Sequence, residues 1–466
     1  MVNTAGDDGF RGYRGPGREV LLRNGVRVWS EVTVATAEGD FQGLILPRSE
    51  TSDDRHIVLK LASGYNVGLA ADRIRAMVEV GRREANYKIP ERQFPYSPGK
   101  PRIKLFGTGG TIASRLDYRT GAVIPAFSPG ELYGSVPELA EVCNLETEQL
   151  YGIFSENMSA EQWIGVARAC AAEIEKGVHG IVIGHGTDTM HHTAAALSFM
   201  LQNPPVPIVM VGSQRSSDRP SSDAALNLIH ATKAAAQSDI AEVLVCMFGP
   251  TSDEYGLLHR GTRVRKMHSS YRSTFRSVGD RPVAMVNSGE IRILDPAYHR
   301  RTDNGRRFAC QPVFDDRVSL VYYYPGMKPD IITSLVDNGY KGIVIGGTGL
   351  GHVNKPLYPA LDYARRAGVA MYMTVQTIWG YTQMYVYETG REIMELGVVP
   401  AGNMLPEVAY VKLGWALGQT DDVEEVRRIM LDPVAHELTE REPHDGYLVY
   451  QGGLPEIDDL MRKVRK

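Results

Sequence analysis

Residues 103–113 read Ile-Lys-Leu-Phe-Gly-Thr-Gly-Gly-Thr-Ile-Ala, an apolar run that ends in a glycine-rich turn. Residues 181–190 repeat the arrangement as Ile-Val-Ile-Gly-His-Gly-Thr-Asp-Thr-Met. Such runs are typical of buried parallel strands, each followed by a turn into a covering helix. Further apolar runs lie at 208–211, 243–247, 283–286, 320–323, 343–345 and 369–373. Helical patterns lie between most of these runs, at 163–176, 226–236, 331–338, 357–366 and 422–431. The alternation predicts an α/β fold with parallel sheets covered on both faces.

Interruptions in this alternation predict the domain boundaries. Prolines and a glycine within residues 96–101 indicate a linker, and a polar stretch at 301–312 indicates a second one. Before the first linker, short strand-like runs at 31–36, 43–47 and 56–61 alternate with turn residues, which is typical of a small barrel or curled sheet. The predicted order is therefore an all-β, barrel-like domain (1–95), a large α/β domain (102–300), a small α/β domain (313–440) and a C-terminal extension (441–466).

Composition excludes several classes of protein. The 466 residues include 51 Lys and Arg against 55 Asp and Glu, and this net charge of −4 does not indicate nucleic acid or an anionic membrane as a partner. No apolar run approaches the roughly 20 residues of a membrane span, and the polar, acidic start is unlike a signal peptide. The four cysteines have no CxxC spacing, so we expect a reduced, cytoplasmic protein.

The glycine turns do not match a cofactor site. A dinucleotide fingerprint needs glycine at position 112, where isoleucine stands, and no GK[ST] follows to hold a phosphate. The HExxH metal motif and the GxSxG nucleophile motif are also missing from the sequence. The first turn instead presents Thr108 and Thr111 beside backbone N–H groups, which suits a nucleophile next to an oxyanion site. A tight turn with a threonine cap is the structural alternative.

Three other polar segments are candidates for the site, and each of them could instead have a purely structural role. Thr187 and Asp188 follow the second apolar run, where Asp188 could simply cap a helix. The turn at 155–159 adds a hydroxyl and a carboxylate that could also be capping groups. Lys266 lies in a basic, polar stretch at 263–270, of a kind that is usually solvated surface.

The turns at 108–113 and 185–190 resemble the two signatures of the bacterial-type L-asparaginase family, in that family's order and approximate spacing. The similarity runs from about Arg102 to Leu431. It implies a two-domain α/β fold that hydrolyses the side-chain amide of asparagine or glutamine. By this resemblance Thr111 is the nucleophile, and Thr187, Asp188 and Lys266 form the charge-linked group that takes its proton.

The resemblance also implies the groups that bind substrate. Tyr118 matches the tyrosine of the mobile loop that closes over substrate, and Ser155 matches the serine that binds the α-carboxylate. Glu156 stands where many asparaginases carry glutamine, and it would hold the substrate ammonium together with Asp188. Backbone N–H groups at Gly110 and Gly186 would stabilise the oxyanion. His352 and Asn354 are candidates for the family's adjacent-subunit residues.

About 100 residues precede the first signature, whereas ordinary asparaginases begin almost directly at it. The segments 46–50, 56–61 and 63–68, with 155–158 and 398–407, resemble one branch of the family, the GatD subunits of the archaeal glutamyl-tRNA(Gln) amidotransferases. That branch implies hydrolysis of glutamine and delivery of ammonia to a partner of the GatE type. The partner would use ATP and Mg²⁺ to activate the glutamate of mischarged tRNA, so no cofactor or metal is expected on this chain.

The branch further implies a homodimer of this chain within an α2β2 complex, with tRNA contacted mainly through the partner. Two alternatives to this interpretation remain open. One is a free-standing L-asparaginase, and the other is a catalytically inert binding protein with the asparaginase fold.

Overall fold

The computed structural model describes residues 9–10, 12–48, 52–63, 65–82, 96–110, 112, 114–116, 123–125, 136–216, 221–303 and 305–443. These residues form two compact units. The first takes in residues up to 90 together with 114–124, and the second takes in 91–113 and everything from 125 onward.

The first unit is built on a five-stranded antiparallel sheet with the order β4-β3-β2-β1-β5. Its strands are β1 (Ser30–Thr36), β2 (Asp40–Ile45), β3 (His56–Leu61), β4 (Asn66–Ala70) and β5 (Ile74–Arg82). No hydrogen-bonded pair joins β4 to β5 among the described residues, so the sheet is open. The described part of the unit also contains β7 (Ser114–Leu116), the paired strand β8 (Val123–Pro125) up to residue 124, and a 3-10 turn, Ala71–Arg73.

One helix departs from the predicted all-β pattern of this unit. It spans Gly15–Arg23 and begins with a proline in its first turn, a position where the missing N–H costs nothing. Its buried residues Val20 and Leu21 pack in the same core as Val32 and Val34 of β1. The helix completes an apolar core that a single sheet face of this size could not close by itself.

The large sheet of the second unit has the order β18-β17-β14-β13-β12-β10-β6-β9. Its strands are β6 (Arg102–Gly109), β9 (Asn144–Ile153), β10 (Gly180–Gly184), β12 (Ile208–Val211), β13 (Val243–Phe248), β14 (Gly256–Arg260), β17 (Ala284–Val286) and β18 (Ile291–Ile293). From β9 to β13 every pairing is parallel, as predicted. The sheet continues antiparallel from β13 to β18, because no helix lies between β13 and β14 to carry the chain back across the sheet.

The remaining elements of this half of the unit are short strand pairs and helices. Two pairs join β11 (Leu201–Gln202) to β19 (Ala309–Cys310) and β15 (Val264–Lys266) to β16 (Phe275–Ser277). The described helices are Leu139–Val142, Ala160–Glu175, Met190–Met200 and Ala224–Gln237, with a 3-10 turn at Ser155–Asn157.

The second sheet of this unit is fully parallel, with the order β20-β21-β22-β23. Its strands are β20 (Val318–Tyr322), β21 (Gly342–Gly347), β22 (Ala370–Val375) and β23 (Val398–Pro400). Its helices are Asp330–Asp337, Tyr358–Arg366, Glu388–Glu395, Pro406–Leu417 and Val423–Leu431, with a 3-10 turn at Lys355–Leu357.

The two sheets of the second unit share one apolar core. The helices Met190–Met200 and Pro406–Leu417 are almost entirely buried, and they contact each other between the sheets. Phe199 and Trp415 stack there with ring centroids 5.7 Å apart. None of the described helices combines the length and the apolar character that crossing a membrane would require.

Candidate active site

The two glycine turns lie side by side at the carboxyl edge of the large sheet. Strands β6 and β10 pair in parallel with Gly107 opposite Gly184, so the turns that follow them emerge together. In parallel sheets this edge is where ligands bind. The hydroxyl of Thr108 donates to the carbonyl of Gly184 at 2.9 Å, and Thr108 is 1% exposed. Thr108 therefore ties the two strands together and is not the exposed hydroxyl expected from the sequence.

A third turn, Ser155–Asn157, contacts the two glycine turns so closely that no side chain would fit between them. A Cβ at Gly110, whose φ is +78°, would lie 2.3 Å from both Cα and N of Gly186. A Cβ at Gly186 would lie 2.8 Å from Oγ of Ser155. The backbone N–H of Gly110 donates to the carbonyl of Ile153 at 3.2 Å, so this predicted oxyanion donor already has a partner. The three segments are thus packed backbone against backbone.

We expect Gly110→Ala to remove amide hydrolysis while the protein still folds. The added methyl must push the turn of Gly186 away, and misplacement by about 1 Å can cost about 100-fold in rate. Gly177→Ala is the matched control, because Gly177 has a similar φ of +76° but nothing within 4 Å of the added Cβ. Ammonia release should fall only in the Gly110 variant, and equal activity of the two variants would contradict the prediction.

Lys266 joins two of the predicted catalytic residues. Its Nζ donates to Oγ1 of Thr187 at 2.9 Å and to Oδ1 of Asp188 at 2.7 Å. The side chain of Lys266 is only 9% exposed, whereas that of Asp188 is 68% exposed. The basic stretch around Lys266 is therefore not simply solvated surface. The following helix begins at Met190 with Thr189 as its N-cap, so Asp188 is not the capping residue.

Neighbouring arginines hold the strand that carries Lys266. Arg263 is fully buried and donates to the carbonyl of Asn403 at 2.8 Å. Arg265 forms a 2.9 Å ion pair with Glu407, a buried carboxylate whose pKa is raised by burial and lowered by that arginine. Both partners belong to the half of the unit that contains the second sheet. Lys266 is consequently positioned by residues from both halves.

His185 supports the second turn, a role that was not expected from the sequence. Its Nδ1 lies 2.6 Å from the carbonyl of Gly186, and its Nε2 lies 2.9 Å from Oγ1 of Thr193, which also accepts from Trp163 Nε1. Full burial lowers the pKa of His185 to about 4, so the ring is neutral at pH 7. Since Gly186 offers only an acceptor, Nδ1 carries the proton. The position of His185 inside the second signature is the signal that could have identified it.

Of the other predicted site residues, Ser155 is buried and Glu156 is exposed. Ser155 is 3% exposed at the start of a 3-10 turn, where its carbonyl accepts the hydroxyl of Thr189 at 2.6 Å. Glu156 follows it and is exposed. Thr111 and Tyr118 lie outside the described residues.

The candidates for the adjacent-subunit role lie after β21. His352 forms a backbone bridge with Thr348, and Asn354 precedes a 3-10 turn. Within the described part of the chain, no hydrogen bond joins either residue to the group formed by Thr187, Asp188 and Lys266.

This arrangement can move a proton over a short path. The Nζ of Lys266 lies within hydrogen-bond distance of both the Thr187 hydroxyl and the Asp188 carboxylate, beside the turn whose Gly186 packs against Gly110. A positioned base of this kind is what a weakly nucleophilic hydroxyl requires.

Three protein-family models match the chain. The model described as "Asparaginase, N-terminal" matches residues 102–299, and "Glutaminase/Asparaginase C-terminal domain" matches residues 317–430. The model described as "GatD N-terminal domain" matches residues 26–80.

Asparaginases are among the solved structures with the same fold. The thermostable L-asparaginase from Thermococcus kodakarensis superposes with a TM-score of 0.64 at 32% identity, covering 72% of this chain and 99% of that one. L-asparaginase I from Vibrio cholerae superposes with a TM-score of 0.64 at 28% identity, covering 73% of this chain and 100% of that one. These matches confirm the predicted asparaginase-like two-domain α/β fold.

Similar proteins extend over nearly the whole chain. The GatD protein of the glutamyl-tRNA(Gln) amidotransferase from Thermococcus kodakarensis is 47% identical over 92% of this chain and 98% of its own length. The protein of the same name from Methanothermobacter thermautotrophicus is 46% identical over 92% of this chain and 98% of its own length. These matches confirm the resemblance inferred from the extension and the two signatures, and the chain belongs to the GatD family of glutamyl-tRNA(Gln) amidotransferase subunits, with an asparaginase-type core.

Proposed function

We propose that this chain is the ammonia-releasing component of a tRNA-dependent amidotransferase and that it hydrolyses the side-chain amide of glutamine. The observation that carries the proposal is the contact of Lys266 Nζ with both Thr187 and Asp188, at the edge where β6 and β10 end. A buried lysine between a hydroxyl and a carboxylate is well placed for proton transfer to a reacting amide. Asparagine is the second substrate that the same chemistry would accept.

In the proposed reaction, the hydroxyl oxygen of Thr111 attacks the amide carbon of glutamine and forms a tetrahedral oxyanion. Thr187, Asp188 and Lys266 take the hydroxyl proton and return it to the nitrogen, so the C–N bond breaks and ammonia leaves. Water then hydrolyses the threonyl ester and releases glutamate. The backbone N–H of Gly186 would stabilise the oxyanion, since the N–H of Gly110 already donates to the carbonyl of Ile153.

Substrate would be held by groups beside this relay. Ser155 would bind the α-carboxylate, and Glu156 with Asp188 would bind the α-ammonium. The exposure of Asp188 supports this second role, because part of its carboxylate can reach an incoming ligand. Closure of Tyr118 over the substrate would exclude water from the amide.

A GatE protein is the proposed partner that receives the ammonia. It would bind ATP and Mg²⁺, activate the glutamate of mischarged tRNA and make most of the contacts to that tRNA. The proposed assembly is an α2β2 heterotetramer around a homodimer of this chain. We place it in the cytoplasm, which the four free cysteines support.

The proposal is tested by measuring ammonia release from glutamine and from asparagine, with and without GatE, ATP and Glu-tRNA(Gln). We expect strong stimulation of glutamine hydrolysis by the complete mixture. Equal rates without the partner and tRNA would favour a free-standing asparaginase, and no release under any condition would favour an inert binding protein. Either result would overturn the proposal.

Three variants test the proposed residues in the same assay. Thr111→Ala, Thr187→Ala and Asp188→Ala should each abolish ammonia release. Thr333→Ala serves as a control, since this half-buried threonine lies in the helix Asp330–Asp337, away from the Lys266 group, and its hydroxyl donates to the carbonyl of Asp330 at 3.4 Å. Release close to the wild-type rate from any of the three would remove that residue from the mechanism.

A further inference from the structure

A second group of chemically reactive side chains lies in the second unit, outside the Lys266 contacts. Glu242 directly precedes β13, His299 follows β18, and His436 follows the last described helix. One potential metal-binding atom from each residue lies within 4.8 Å of those of the other two. The two imidazole rings have centroids 5.1 Å apart. The residues are far apart in the sequence, so no spacing motif could have revealed them.

One hydrogen bond and one ion pair orient the carboxylate of Glu242. Its Oε1 accepts the backbone N–H of His299 at 2.7 Å, and its Oε2 lies 3.3 Å from Nε of Arg260. Arg260 also contacts Asp280 at 2.6 Å and Asp295 at 3.1 Å. Its positive charge is therefore shared among three carboxylates and leaves Glu242 able to bind a cation. Oε1 retains a second lone pair and lies 3.7 Å from Nε2 of His436.

His436 carries a nitrogen without a hydrogen-bond partner. Its Nε2 is shielded from solvent and has no hydrogen-bond partner among the described residues, and it lies 3.7 Å from Oε1 of Glu242. A buried polar atom of this kind normally has a ligand or a water molecule. His436 also has a φ of +61°, a left-handed conformation that side chains other than glycine adopt at a cost. With this backbone conformation, the ring of His436 lies beside both Glu242 and His299.

The three residues also enclose a space of the size that a bound ion needs. A cavity of about 30 Å³ is lined by all three residues, which is room for one ion or one water molecule.

We propose that Glu242, His299 and His436 form a binding site for a divalent transition-metal ion, and that Zn²⁺ is the ion this ligand set fits best. Two imidazoles and one carboxylate, with a water in the fourth position, are a recurring zinc environment. Small side-chain rotations would bring the three ligand atoms to zinc distances of about 2.0–2.2 Å. The ion would connect three segments distant in sequence, so its expected role is structural.

The test uses the full chain, freed of metal by dialysis against EDTA and titrated with Zn²⁺ alone in competition with a chromogenic chelator. We expect one Zn²⁺ per chain, and visible absorption of low-coordinate Co²⁺ when cobalt replaces zinc. Zn²⁺ should also raise Tm by roughly 3 °C when it is about 100-fold above its Kd.

Two variants and a control decide the outcome. Glu242→Gln keeps the shape of the side chain, and His436→Gly relieves the left-handed backbone, so both should fold. Each should weaken zinc binding by more than about 100-fold, since even outer-shell partners contribute 10- to 100-fold, and each should abolish the cobalt absorption. His56→Ala, which removes an exposed histidine of the first unit, should bind zinc like the wild type. Failure of the wild type to bind one zinc, or wild-type affinity in both variants, would overturn the proposal.

Discussion

Lys266→Met should lower the turnover of glutamine by about three orders of magnitude, within the 10²- to 10⁴-fold that a positioned acid or base contributes. Its ammonium donates to Thr187 at 2.9 Å and to Asp188 at 2.7 Å, so the substitution leaves both acceptors without their shared donor. We expect kcat to fall much more than KM changes, because the proton relay loses its lysine while Asp188, which is 68% exposed, keeps its carboxylate for the substrate ammonium. Steady-state ammonia release in the presence of the partner and tRNA measures both parameters.

Two further variants separate charge from proton transfer. Lys266→Arg keeps a positive charge at this position. Because an arginine side chain stays protonated, it cannot take part in proton transfer, and this variant should be nearly inactive. Lys355→Met removes an exposed lysine that contacts Glu392 at 3.1 Å and should leave kcat unchanged. Activity of the arginine variant within a few-fold of wild type would show that charge alone suffices, against the prediction.

Removing one partner of the buried pair formed by Lys412 and Glu437 should give the largest loss of stability. Both side chains are fully buried. The lysine also donates to the carbonyls of Met430 at 3.0 Å and Asp432 at 2.7 Å, and the carboxylate accepts the N–H of Ala435 at 2.7 Å. Lys412→Met or Glu437→Gln should therefore lower the free energy of unfolding by about 3–5 kcal/mol. Urea denaturation followed by circular dichroism measures the change.

A double variant and a surface pair provide the controls. Replacing Lys412 by Met and Glu437 by Gln in one chain should cost less than the two single changes combined, because no unpaired charge stays buried. Arg428→Met with Glu425→Gln removes an exposed pair on the adjacent helix and should leave the urea midpoint unchanged. Additive losses in the buried pair would show that the two charges do not stabilise each other.

Strands with continuous apolar runs were predictable from the sequence. The runs at 208–211 and 56–61 coincide with observed strands. The alternation of strands with helices correctly indicated parallel pairing for β6, β10 and β12. Strands β4 and β5 were missed because most of their side chains are exposed or only half-buried, which leaves no apolar run. The run at 283–286 was a strand too, but its antiparallel direction depends on a connection without a helix.

The candidate site was predictable as a set of residues but not as a geometry. The two signatures identified Thr187 and Asp188, while the burial of Lys266 could not be inferred from a basic stretch. That burial depends on Arg263 and Arg265, whose partners lie about 140 residues further along the chain. Contacts over such separations follow from the packing of the two sheets and leave no local pattern in the sequence.

The position of β6 and β10 inside the large sheet determines which local unfolding events can disrupt the site. Each has a hydrogen-bonded neighbour on both sides, whereas β9 and β18 form the edges. Amide groups in such interior strands exchange with solvent only through openings that approach complete unfolding. Fraying of the edge at β18 therefore leaves the turns after β6 and β10 assembled, whereas fraying of the edge at β9 reaches the site through Ser155 and the Ile153 carbonyl that accepts the N–H of Gly110.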